Sequence, residues 1–502
     1  MHVRETLIAA ILLNMTRIAL PLLFLPLVAT GQDKTVTYYA DPAATPPDLP
    51  VKIRHLDAFV RFEPEHNRVV AAATFTFTPN RFPVDSFAFH APGFVVDSLQ
   101  VNGRAARFHM AGDKLVIFPG DLLHARTYGD RTGAKAESVR IVYRAEPSSG
   151  MIYFVGWKPE ETGKRKQIWA HRPHGWLPYM DGRITADLHV TFDSNYRVFS
   201  NGERVAVDAG PGGTKTWHYA MKKDHPFFST ALVIGDYSYK AAKTSRGTPL
   251  EFWYYSDMPD RVGTTYMYTE RMFEYFEKEL GFNYPYPVYR QAPVIDYMYG
   301  AMETTTSTVF GDYMQITPRS WWQRNYVNVN AHELAHQWFG NCVAHYVNRD
   351  VWLTESFGTY YAKMFEKYIF GEDYYQNVRN EELRLTFEAA ERNAFPVGGS
   401  QGGVQRIYQK GSLVLDMLRD VMGDEAFREA VKLYLEQYAF DYAQTSDFIR
   451  CTYEASGESH EWFFDEWILR GGEPWYHVSD TVVADAAGLT STLFRIRQMQ
   501  PV

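Results

Sequence analysis

"HELAHQWFGN", residues 332–341, is the stretch on which the fold turns. Positions i and i+4 of a helix lie one above the other on one face, so His332 and His336 can both reach a single ion. Glu333, one residue round, comes within reach of a water held by that ion. A hydrolytic zinc site takes three protein ligands and keeps a position open for water. A third ligand is therefore expected nearby. Glu355, in "VWLTESFGTYY" (351–361), follows His336 after eighteen intervening residues, enough for a turn and a second helix packed antiparallel to the first. The spacing predicts a His332, His336, Glu355 site holding one Zn²⁺ per chain.

His345 competes for the third place. The longer motif with a third histidine would put glycine at 339 and histidine at 342, where this chain has Phe339 and Cys342. His345 thus reads better as a loop residue. With 16 histidines in the chain, a bare His-Glu-x-x-His is only a moderate signal. The correctly spaced Glu355 carries the rest. Zinc lowers the pKa of its water to about 7 and polarises a carbonyl. Glu333 is placed to move the water's proton as general base, and a donor for the developing oxyanion is still required.

Composition bounds what surrounds this centre. At 502 residues the chain is long enough for two to four domains. Lys plus Arg is 51 against 59 Asp plus Glu, a mild net charge of -8 with no basic patch, which speaks against nucleic acid as a partner. Only Cys342 and Cys451 occur, so no disulfide framework is expected, and two free buried thiols is the default reading. "MTRIALPLLFLPLVATGQ", from Met15, has a basic start at Arg17, an apolar run Ile18–Val28 and small residues at Ala29 and Gly31. That is the pattern of a secretory signal over 1–31, with export to the periplasm or outside the cell as its consequence. An uncleaved membrane anchor is the rival reading of the same segment.

Residues 32–50 are Pro-rich and read as an extended linker. From 51 to 245, runs such as "VKIRHLDAFVRFEP", "VVAAATFTFTP" and "ITADLHVTF" alternate with period two between Gly, Pro and Asn-Gly signals, predicting a largely antiparallel β domain. Over 246–472 the period becomes helical. In "RVGTTYMYTERMFEYFEKELG", Met272, Phe273, Phe276 and Leu280 recur three or four apart and Gly281 closes the run. Residues 473–502 return to strand pattern, as part of a small third β module.

These residues together resemble the gluzincin aminopeptidases, the family of aminopeptidase N and leukotriene hydrolase. "HELAHQWFGN" with Glu355 in "WLTESFG" is similar to the family's zinc signature, and "IYQKGSLVLDML" to the segment whose tyrosine donates to the oxyanion, here Tyr408. "FPVDSFAFHAPGFVVDSLQVNG", "HPFFSTALVIGDYSY" and "FFDEWILRGGEPWYHVS" extend the likeness along the chain. The resemblance implies a multidomain fold: an N-terminal antiparallel β saddle, a thermolysin-like, mainly helical (α+β) zinc peptidase domain, and a short C-terminal β module. It also implies that "GAMETTTSTVF" (300–310) lies beside the metal. There the backbone of Gly300, Ala301 and Met302 would pair with a bound peptide, and Glu303 would hold its free α-amino group.

Two letters depart from the family pattern. Thr304 stands where Asn is usual, and "IWAHRPHG" puts His171 and Pro173, with Arg172 between them, where a Gln-x-Glu element would supply a second carboxylate. The resemblance implies a zinc aminopeptidase releasing N-terminal residues from peptides. The departures leave open a zinc hydrolase for N-blocked or otherwise non-standard substrates. A non-catalytic binding protein is the remaining reading, disfavoured because a scaffold has no use for Glu333 and Tyr408 beside intact ligands.

Overall fold

The computed structural model describes residues 41, 45, 46, 48–80, 83–124, 136–147, 150–484 and 489–499. The expected leader over 1–31 and nearly all of the linker before residue 48 lie outside the described residues. Among the described residues no helix is long and apolar enough to cross a membrane.

An eight-stranded sheet dominates the N-terminal part, with Val51–Glu63 and Arg68–Pro79 near its centre. Arg68–Pro79 alternates strictly between buried and half-buried positions, as a period-two sequence requires when one face packs on a core. Every pairing in this sheet is antiparallel except that of Val51–Glu63 with Arg183–Asp193, which is parallel. A four-stranded and a three-stranded sheet complete the β region.

The expected boundary at 245/246 falls between two strands that pair with each other, Tyr237–Lys243 and Pro249–Tyr255. They open a five-stranded sheet that continues through Tyr289–Val294 and Ser307–Gly311 to the short edge strand Ala301–Met302. Helices pack beyond it. Thr269–Leu280 buries Met272, Phe273, Phe276 and Leu280, and Gly281 ends it in the left-handed conformation, as the sequence pattern predicts. Glu372–Ala390 and Thr445–Ser456 are two further helices of this region. The first buries only four of its nineteen residues, which leaves little apolar stripe to detect.

One contiguous apolar core runs from Val51 to Ile468 and includes residues of both the β region and the helical region. Cys342 and Cys451 are buried and free. Tyr476–Ala484 and Thr490–Gln498 form a two-stranded antiparallel hairpin exposed along almost its whole length.

Candidate metal centre

The helix Val327–Ala335 carries His332 and Glu333, and His336 is its C-terminal cap residue, still in helical conformation. The helix stops earlier than the sequence pattern suggests. Asn341, Cys342 and Val343 donate their N–H groups five residues back, to His336, Gln337 and Trp338, so the chain widens and turns away immediately after the second histidine. Glu355 sits in the first turn of the next helix, Trp352–Phe370, and the two helices pack together.

His332 Nε2 and His336 Nε2 lie 2.8 Å apart, and Glu355 Oε2 is 3.5 Å and 3.3 Å from them. Bonds of about 2.0–2.1 Å to a tetrahedral zinc would put ligand atoms roughly 3.3 Å apart. The triangle fits such an ion. His336 Nδ1 lies 3.0 Å from the Phe339 carbonyl, so that nitrogen donates and Nε2 keeps its lone pair for a metal. Oε2 of Glu355 is buried without a hydrogen-bond partner, which a cation between it and the rings would resolve, and Oε2 of Glu333 is likewise buried and unpartnered. The electrostatics agree. Burial opposes charge on His336, yet Glu355 beside it pushes it up to about 10, while burial and His336 hold His332 below its ordinary value. Burial, reinforced by Glu303 and Glu355, raises Glu333 well above the usual carboxylate range. Among the described residues this is the only group of three or more His, Cys, Asp or Glu side chains close enough to hold a metal ion.

His345 is not in the group. Its Nδ1 lies 3.0 Å from the Thr354 hydroxyl, and burial keeps the ring near a pKa of about 4. Tyr408 does join the centre: its ring stacks on His332 at 5.6 Å, and burial followed by Glu355 raises its phenol far above 10. It lies in the middle of a π-helical turn, Arg406–Lys410, a distortion that helical periodicity cannot reveal.

The ligand motif and the "GAMET" segment are physically joined. Gln337 Nε2 and Asn341 Nδ2 both donate to the Glu303 carbonyl, at 3.0 Å and 2.6 Å. Asn341 Oδ1 accepts from the Ser229 and Thr305 hydroxyls, and Gln337 Oε1 from the Thr306 N–H. The last residues of "HELAHQWFGN" therefore fix the strand that runs past the metal. This link escaped the sequence reading, although the amide residues lie inside the quoted motif.

Thr304 has a local role. It is fully buried, its hydroxyl donates to the Ser307 carbonyl, and Ser307 N–H donates back to the Thr304 carbonyl at 2.8 Å, closing a tight turn. Thr306 within that turn has φ +63°, rare for a β-branched residue, and is held there by Gln337 and by Gly202 N–H on its hydroxyl.

The centre opens into a cleft of about 1280 Å³ lined by His332, Glu333, His336, Glu355, Tyr408 and the Gly300–Glu303 segment. Its far walls include Lys363 and Glu366 from the second ligand helix, and His171, Arg172 and His174 from the β region. Pro173 is buried instead, its carbonyl accepting from the Trp176 and Leu177 N–H groups. Gln167, just upstream, is buried and occupied by Tyr237 and Ile295.

Residues 265–467 match the peptidase family M1 domain. A glutamyl aminopeptidase from Bitis rhinoceros is 26% identical over 358 residues, 65% of this chain and 36% of that protein. A leucyl aminopeptidase from Saccharolobus solfataricus is 29% identical over 418 residues, 79% of this chain and 51% of that protein. The chain thus spans about a third to a half of the length of such curated relatives. In structure it is similar to an M1 zinc metallopeptidase from Deinococcus radiodurans, with a TM-score of 0.69 at 20% identity over 84% of this chain and 95% of that one. The metal ligands, Glu333, Tyr408 and the Gly300–Glu303 strand all fall inside the segment, residues 265–467, that matches the peptidase family M1 domain.

Proposed function

We propose that the chain is a zinc aminopeptidase that releases N-terminal residues from peptides, with His332, His336 and Glu355 holding the ion. The closed ligand triangle, with Glu333 and Tyr408 facing the same cleft, is the observation that carries this reading. Bound zinc would polarise the scissile carbonyl and acidify a water. Glu333, buried and with a raised pKa, is suited to take that water's proton and hand it to the leaving amine. Tyr408 keeps its phenolic proton at every working pH and so remains a donor for the oxyanion.

The substrate strand follows from topology. Ala301–Met302 pairs on one side with Val309–Phe310 and is the edge of its sheet, so its other side is free to pair with an extended peptide. The Glu303 carboxylate has no ion-pair or hydrogen-bond partner among the described residues, as a group reserved for a substrate ammonium requires. In Deinococcus radiodurans, an M1 zinc metallopeptidase of the same fold has been solved with a Tyr-Ser-Ala substrate. Export follows if the segment over 1–31 acts as a secretory signal, and membrane attachment follows if that segment is retained.

The test is hydrolysis of one peptide in free and N-acetylated forms by zinc-loaded protein, read by mass spectrometry, with Glu333→Gln as blank. Stepwise loss of N-terminal residues from the free form alone is expected, with a loss of roughly a thousandfold or more in the variant. Equal cleavage of the acetylated form would sink the aminopeptidase reading.

A further inference from the structure

The β-region wall of the cleft raises a question that the metal chemistry leaves unanswered. Arg172 lines the same cleft as Glu303 and the metal ligands, yet its guanidinium makes no ion pair and no hydrogen bond among the described residues. The guanidinium lies over the ring of Phe228, 5.6 Å from the centroid. Its backbone is fixed: the Arg172 carbonyl accepts from Nε1 of the fully buried Trp176 at 3.0 Å, and the next carbonyl, of Pro173, is held by the Trp176 and Leu177 N–H groups. A rigid base with a free charged head is the arrangement of a residue awaiting a partner.

Among the described residues that line the cleft there is no second unpaired cation. Lys363 is held by Glu382 at 2.7 Å and Asp416 at 2.6 Å. His171 lies on Tyr297 and Tyr299, and burial followed by the Arg172 charge keeps it near a pKa of about 4, while burial, His90 and then Arg172 keep His174 near the same value, so both are neutral at pH 7. Arg172 and Glu303 line one cleft with the metal ligands, and the charges of both act on Tyr297. One free carboxylate and one free guanidinium therefore address the same space.

We propose that Arg172 is a specificity residue that binds a substrate carboxylate close to the scissile bond, so that the enzyme prefers peptides carrying both a free α-amino group for Glu303 and a nearby carboxylate. This deepens the aminopeptidase reading and rests on it. A planar guanidinium matches a carboxylate bidentately, and a neutral amide in its place leaves that charge unanswered. Two sources supply the same chemistry: the side chain of an N-terminal Asp or Glu, or the C-terminal carboxylate of a very short peptide.

The experiment compares isosteric pairs on zinc-loaded protein, wild type and Arg172→Gln. One pair is a peptide beginning with Glu or with Gln, amidated at its C-terminus. The other is a neutral dipeptide with a free or amidated C-terminus. In at least one pair the wild type favours the carboxylate form in kcat/KM by roughly ten- to a hundredfold, and Arg172→Gln brings that ratio close to one. The pair that responds identifies the source. A wild-type ratio near one in both pairs, or a ratio that Arg172→Gln leaves unaltered, overturns the proposal. Calorimetric binding of the same peptides to Glu333→Gln protein, with and without Arg172→Gln, keeps the two readings apart. Absence of all hydrolysis with a retained Arg172-dependent binding preference refutes the aminopeptidase reading alone, whereas equal binding of both members of each pair refutes the role of Arg172.

Discussion

Asn341 binds the Glu303 carbonyl and the Ser229 and Thr305 hydroxyls while itself fully buried, so it joins the metal motif to the substrate strand. Replacing it with Ala leaves several buried polar groups unpaired. Asn341→Ala is expected to cost about 2–4 kcal/mol of stability in urea denaturation, with kcat/KM falling as Glu303 loses its anchor. A loss under 0.5 kcal/mol would show that those groups find other partners. Glu366, on the cleft wall, gives a pH signature. It is 4% exposed, accepts from the Tyr374 hydroxyl at 3.0 Å, and is pushed up to about 7, mainly by burial. Between the ordinary value near 4.5 and about 7 the folded protein binds the extra proton, so this group's contribution to stability is full at low pH and is lost as pH rises through 7. Glu366→Gln removes that dependence. Its stability relative to wild type should be similar at pH 5 and higher by about 1–3 kcal/mol at pH 8, as thermal melts at the two pH values would reveal.

Helix packing sets how closely the ligands can gather. A Cβ on Gly358, in the second ligand helix, would lie 2.8 Å from His336 Cε1 and 3.0 Å from His332 Cε1. Neither ring can yield freely, since His336 is tied to Phe339 and His332 is stacked on Tyr408. Ala is the better helix former by about 1 kcal/mol, so Gly358→Ala separates two quantities that usually fall together. The metal-free protein should melt no lower than wild type by more than a few degrees, while zinc affinity in a chelator competition drops roughly ten- to a hundredfold. Gly411 shows the same closeness from another helix: a Cβ there would meet Ser356 Oγ, whose hydroxyl donates to the Ile407 carbonyl within the π-helical turn that presents Tyr408. Much of this layer was legible in the sequence. The i, i+4 histidines, the distant Glu355 and the Thr269–Leu280 stripe follow from periodicity and spacing alone. The π turn, the early end of the first ligand helix and the half-buried helix Glu372–Ala390 do not, because each depends on tertiary hydrogen bonds or on a neighbour's surface.

At the scale of the molecule, the substrate strand is held as much by the β region as by the metal helices. Asn201 Nδ2 donates to the Ser229 and Thr305 carbonyls and its Oδ1 accepts from Ala231 N–H. Ser307 donates to the Ser200 carbonyl, Gly202 N–H reaches the Thr306 hydroxyl, and Arg183 donates to the carbonyls of Asn341 and Asp224. None of these contacts was visible in the sequence, since each joins residues that only the folded chain brings together. The large apolar core spanning Val51 to Ile468 and a second, smaller cluster that includes Trp169, Phe199, Val233, Trp253, Val294 and Val309 each draw on both sides of residue 245, so neither region has a separate interior to keep when the other melts. Calorimetry of the whole chain should therefore give one cooperative transition for residues 51–472, whose calorimetric and van't Hoff enthalpies agree. Asn201→Ala should lower that transition as a whole, by about 2–4 kcal/mol for the unpaired buried groups, and should reduce kcat/KM although Asn201 does not line the cleft. Two resolved transitions, or an Asn201→Ala variant whose β region alone melts early, would mean that the network is only a seam between independent domains, and that the strand beside the metal takes its position from the helices alone.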